Sequence, residues 1–130
     1  MTHSYRLPLV LLAHGSPSSR QMFEQYLRFA GHDVAIAPTA DDTPGMAAAV
    51  KPDAIVIEYS ASVSRRARRL AAAIRSNEAT RGIPIIALAP PTGIDRALRA
   101  GCAAALGEPC YPDVLAAEIR RLIATRRFVA

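Results

Sequence analysis

His14, Glu58 and Glu108 lie far apart in the chain, yet each stands at or just beyond the end of a short apolar run. An imidazole between two carboxylates can hold a metal as a His-carboxylate site, or form a charge cluster in which a protonated His14 sits beside Glu58. It can equally be a set of solvated side chains at the rim of loops. The spacing carries no metal-binding motif, so no metal is assigned. Gly15, Ala89 and Pro90 occupy comparable places and bring no reactive group. A nucleophilic role for Ser16 fails for want of a G-x-S-x-G elbow. Cys102 reads as a small buried hydrophobe, and Cys110, in a loop, as the more exposed thiol. Two cysteines are too few for a disulfide framework, and both are expected to stay reduced.

The elements that must position these residues can be read from the apolar runs. Leu7–Ala13, Asp33–Ala37, Ala54–Tyr59, Ile83–Ala89 and Ala103–Leu106 are strand candidates, and their near-continuous apolar character predicts strands covered on both faces. Ser16 followed by Pro17 predicts an N-cap and first turn, with Met22, Phe23, Tyr26, Leu27 and Ala30 at helical spacing before Gly31. Thr43-Pro44 opens a second helix. A third starts at Ser62 or Ser64 and runs to Asn77, a fourth spans Gly93 to Ala100 before Gly101, and a fifth runs from Pro112 to about Arg127.

Five βα units in 130 residues imply one doubly wound α/β domain with right-handed crossovers. Functional residues in such sheets lie beyond the carboxyl ends of the strands. That is where His14, Gly15, Glu58, Ala89, Pro90 and Glu108 fall. No repeat, low-complexity tract or linker interrupts 1–130, and no output domain is expected after the fifth helix.

Composition narrows the class. Apolar residues make up 51% and charged residues 21%, the profile of an ordinary globular domain. No apolar run approaches the roughly 20 residues needed to span a bilayer, and the start lacks the features of a secretion signal. A cytoplasmic protein with no membrane contact is the expectation. The net charge of +5 would permit nucleic-acid binding, but aromatics are only 5% and there is no tryptophan for a stacking platform. A basic nucleic-acid-binding module therefore stays an alternative only.

Over nearly its whole length the chain resembles the response-regulator receiver family of two-component and phosphorelay signalling. Ser19–Met22 through Tyr26–Val34 resembles the segment after that family's acidic pair. Lys51-Pro52-Asp53 through Glu58 resembles the approach to its phosphoacceptor. Ile83–Leu88 resembles its fourth strand, and Ala100–Leu106 with Glu108-Pro109 its fifth strand and "KP" turn. The resemblance implies a flavodoxin-like three-layer sandwich with parallel strand order 2-1-3-4-5. It puts helices one and five on one face and two, three and four on the other, and Pro109 after a cis bond.

The family's chemistry needs a magnesium-binding acidic pair, an aspartate nucleophile, a hydroxyl and a lysine. Here His14 and Gly15 stand at the acidic pair, Glu58 at the phosphoacceptor, Ala89 at the hydroxyl switch and Glu108 at the lysine. Asp41 and Asp42 belong to another loop. The stretch from Ala89 to Leu98 is about one helical turn short, which predicts an abbreviated fourth helix. The resemblance thus implies an atypical receiver that is not phosphorylated, is not an enzyme, has no cofactor and acts through protein-protein contacts. A histidine kinase or another signalling protein is the expected partner, and homodimerisation stays open.

Two further features bear on partners. At about 100° per residue, Arg65, Arg68 and Arg69 gather on one side of the third helix, as a docking surface for an acidic partner or as a solvated outer face. Leu11-Leu12-Ala13-His14-Gly15-Ser16 resembles the "AHGS" turn of sirohydrochlorin-type tetrapyrrole chelatases, which would make His14 a metal ligand and base. The second histidine of those enzymes is missing, since only His3 and His32 remain.

Overall fold

The computed structural model describes residues 6–60 and 63–129. Among these, strands β1 (Leu9–Ala13), β2 (Asp33–Ile36), β3 (Ala54–Glu58), β4 (Ile85–Ala89) and β5 (Ala104–Gly107) form one parallel sheet in the order β2-β1-β3-β4-β5. The expected architecture is the observed one. Register places Leu11 beside both Ala35 and Ile55, and Ile55 beside Ile85. β1 pairs on both edges, so its side chains have helices above and below. Val10, Leu11 and Leu12 are fully buried accordingly.

Helices α1 (Pro17–Phe29) and α5 (Pro112–Val129) cover one face, where Phe23 and Leu27 pack with Val10, Leu12, Leu115 and Ile119. Helices α2 (Thr43–Val50), α3 (Ser64–Ser76) and α4 (Ile94–Arg99) cover the other, where Ala47, Ala71, Ile74 and Ala97 meet Leu11, Ile55 and Ile85. This face carries many alanines, among them Ala47, Ala67, Ala71, Ala87 and Ala97. Ser16 caps α1 by accepting from the Ser19 N–H. α4 has only six residues after a 3-10 turn at Pro91–Gly93, as the shortened connection predicts. Gly101 ends it at φ +104, a left-handed position that favours glycine.

β1 and β4 each start two residues later than their apolar runs, for one reason. Leu7 and Ile83 precede Pro8 and Pro84, which carry no N–H and cannot donate to the ladder. Both prolines still give their carbonyls to it, Pro8 to the Asp33 N–H at 2.8 Å and Pro84 to the Ile55 N–H at 2.9 Å. The third helix starts at Ser64; Ser62 lies outside the described residues.

His32, just before β2, is only 4% exposed, and its Nδ1 has no hydrogen-bond partner. Burial pushes its pKa below the ordinary value of 6.5; the Leu27 backbone opposes this, Arg120 reinforces it and Asp53 opposes it. The unfolded chain then binds the proton more readily than the folded one. This contribution to stability is complete above the unfolded value and is lost as pH falls below it towards the folded value. Urea midpoints should fall between about pH 7.5 and about pH 5.5 more steeply in the parent than in His32→Gln. Parallel profiles for the two proteins would refute it.

Candidate functional site

The carboxyl ends of β1, β3 and β5 bring together the three residues singled out from the sequence. One ligand-capable atom each from His14, Glu58 and Glu108 lies within 4.8 Å of the others. His14 is 6% exposed, and its ring meets the Phe23 ring at a centroid distance of 6.0 Å. Its Nδ1 accepts the Ser16 backbone N–H at 3.1 Å, while Nε2 faces Glu108 Oε2 at 3.3 Å. Glu58 is held by another contact, its Oε1 accepting the Gly15 N–H at 3.1 Å. A Cβ on Gly15 would lie 2.9 Å from that same Oε1, so glycine is what lets the carboxylate reach the backbone. Glu108 is followed by a cis bond to Pro109, as expected.

Several solved structures superpose closely on this chain. The receiver domain of a sensor histidine kinase from Pseudomonas aeruginosa PAO1, with magnesium coordinated in its active-site cleft, is 26% identical at a TM-score of 0.81 over 92% of this chain and 99% of that one. The chain has the fold of a receiver domain. A signal receiver domain of a histidine kinase from Syntrophus aciditrophicus is 21% identical, with a TM-score of 0.79 over 91% of each chain. A chemotaxis response regulator of Vibrio cholerae is 22% identical, with a TM-score of 0.79 over 90% of this chain and 99% of that one. No family model and no curated protein matches the sequence.

The mouth of this receiver fold does not suit a metal ion. A ligating imidazole normally donates its second N–H to an acceptor, which leaves the other nitrogen's lone pair for the metal. In His14 the polarity is reversed. The Ser16 N–H needs a lone pair on Nδ1, so the neutral ring carries its proton on Nε2 and donates it to Glu108. Magnesium, which takes oxygen ligands, would find Glu58 and Glu108 only, because the other nearby acids are engaged elsewhere. Asp42 accepts the Thr39 hydroxyl at 2.8 Å and Asp41 faces Arg66 at 3.9 Å.

The same arrangement turns His14 Nε2 to Glu108, at 3.3 Å, rather than to Glu58. It also works against the chelatase reading, which needs His14 as ligand and base. His32 is buried before β2, away from the carboxyl ends, and His3 lies outside the described residues.

Ala89 is fully buried within the α2-α3-α4 face rather than set at the rim, so the position of the family's hydroxyl is core here. Cys102 is buried and its thiol is pushed up to about 11 by burial, against the pull of Arg75. Cys110 is half-buried, and burial together with Glu108 and Asp113 raises its pKa, so it lacks the thiolate character of a reactive cysteine. Among the described residues, no helix is long and apolar enough to cross a membrane.

Arg65, Arg68 and Arg69 of α3 line two neighbouring depressions that share Arg65. Arg65 and Arg68 line a concavity with Arg96 and Arg99 of α4, and Arg65 also lines the second depression with Arg66, Arg69 and Asp41. The sequence reading missed Arg96 and Arg99. Their i, i+3 spacing on a short helix was the available signal, but only the packing of α4 beside α3 gives it meaning.

Proposed function

We propose that this receiver domain is a signalling module that does not accept a phosphoryl group and works by binding a protein partner, such as a histidine kinase or another signalling protein. The observation that carries the reading is the engagement of Glu58 at the carboxyl end of β3. Its Oε1 is tied to the Gly15 N–H at 3.1 Å, and the neighbouring groups are a proton-donating His14 and a second carboxylate, Glu108. Phosphoryl transfer is mostly charge neutralisation and in-line positioning. A mouth with two carboxylates, no lysine and no acidic pair adds negative charge where incoming phosphate needs positive charge. A nucleophile displaced by one methylene also loses the alignment on which such steps depend.

The signal would then be read from the arrangement the chain already holds, with Glu58 and Glu108 as permanent charges beside a preserved scaffold. Incubation with acetyl phosphate and magnesium is expected to leave the intact mass unchanged. A base-labile phosphoryl adduct on Glu58 would defeat the reading.

A further inference from the structure

The concavity between α3 and α4 is a second feature of this receiver, independent of the mouth. It encloses about 560 Å³ and is lined by Tyr59, Ser64, Arg65, Arg68, Arg96 and Arg99, together with Ala100. No carboxylate is among its lining residues. Arg65, Arg68 and Arg96 have no acidic partner within ion-pair distance among the described residues, in contrast to Arg28 with Glu24 and Arg121 with Glu118. Arg99 gives one N–H to the Asp95 carbonyl at 3.4 Å and no ion pair.

Guanidinium groups brought into one hollow from two helices repel one another unless an anion joins them. A second observation points the same way. α3 is a 13-residue helix whose N-cap is Val63, a side chain that supplies no capping hydrogen bond, and its first residues Ser64 and Arg65 line the hollow. The positive end of the helix dipole therefore adds to the arginines.

We propose that the α3-α4 concavity is an anion site for a small phosphate-bearing ligand, with a pyrophosphate group as its recognised part. Guanidinium forks match phosphate oxygens in bidentate fashion, and two forks from each helix suit two adjacent phosphates. The volume lies in the range of small-molecule sites, roughly 300–1,000 Å³. A single-stranded nucleic acid would instead need basic groups along a strip and exposed aromatics for stacking. Tyr59, the aromatic at this place, is 3% exposed and forms floor rather than platform. Ligand binding here would join α3 to α4, two elements of one face, without requiring chemistry at Glu58.

The test uses the full chain, inorganic pyrophosphate and ADP without metal, followed by amide chemical shifts and calorimetry. Shifts are expected at residues 64–68 and 96–100. Arg68→Gln and Arg96→Gln should each weaken pyrophosphate binding roughly tenfold, while Arg121→Gln, on α5, should not. Unchanged thermal melting of the variants separates lost binding from lost fold. The proposal is overturned by absence of shifts at about 1 mM pyrophosphate, or by equal weakening in Arg121→Gln. Duplex DNA or a polyglutamate peptide binding more tightly than pyrophosphate or ADP, and losing affinity in the same variants, would also overturn it. None of these readouts depends on whether Glu58 accepts phosphate.

Discussion

His14→Asp is expected to destabilise the chain by about 3 kcal/mol, although it moves the sequence towards the acidic residue that the family carries there. The substitution removes a buried ring that packs on Phe23. It also places a carboxylate beside Glu108 Oε2, which His14 Nε2 approaches to 3.3 Å, with Glu58 close by. Three carboxylates then share a partly buried mouth with no cation to separate them, and burying an unpaired charge is among the costliest single changes. Urea unfolding of the parent and the variant at neutral pH measures the loss. Adding Glu108→Lys to the variant should recover a large part of it, because a cation then stands between the acids. If these side chains were solvated and unrelated, His14→Asp would cost under about 1 kcal/mol and the second change would add nothing. That outcome would show the mouth to be a set of drifted positions.

The sheet was legible in the sequence because its signal is local. Runs such as Ala54-Ile55-Val56-Ile57 and Ile85–Ala89 are apolar throughout, and strands sandwiched between helices need both faces apolar. Placement of His14, Glu58 and Glu108 at one edge follows from that topology, because parallel strands deliver their carboxyl ends to the same side. Side-chain direction does not follow. Whether His14 turns to Glu58 or to Glu108 depends on a backbone N–H two residues further on, which fixes the tautomer and the ring's orientation. Strand spacing cannot encode this. Gly15 shows the same limit, for its lack of a side chain reads as a missing carboxylate in sequence and as room for Glu58 in the structure. Ala89 reads as a lost hydroxyl and proves to be core. The arginine hollow was half legible: the helical period groups Arg65 and Arg68, but Arg96 and Arg99 join them only through the packing of α4 next to α3.

Phe23→Ala should cause the largest single loss of stability, about 3–5 kcal/mol, the range for deleting a fully buried aromatic. Phe23 is 1% exposed and belongs to the cluster in which α1 and α5 meet β1, with Leu12, Leu27, Leu115 and Ile119. Removing the ring leaves a cavity between rigid layers, because the flanking strands pair on both sides and cannot move inward without breaking their ladders. A second consequence ties the core to the mouth. The Phe23 ring supports the His14 ring at 6.0 Å and a tilt of 52°, so its loss frees the imidazole from one of the contacts that aim Nε2 at Glu108. The cost of replacing His14 by alanine should therefore be smaller in the Phe23→Ala background than in the parent, with a coupling of about 0.5–1.5 kcal/mol. Phe23→Leu, which keeps much of the volume, should lose less stability than Phe23→Ala. Urea midpoints for the parent, the two single alanine variants and the double variant supply the cycle. Strict additivity would mean that His14 is oriented by Ser16 and Glu108 alone, and that the aromatic contact contributes burial without positioning.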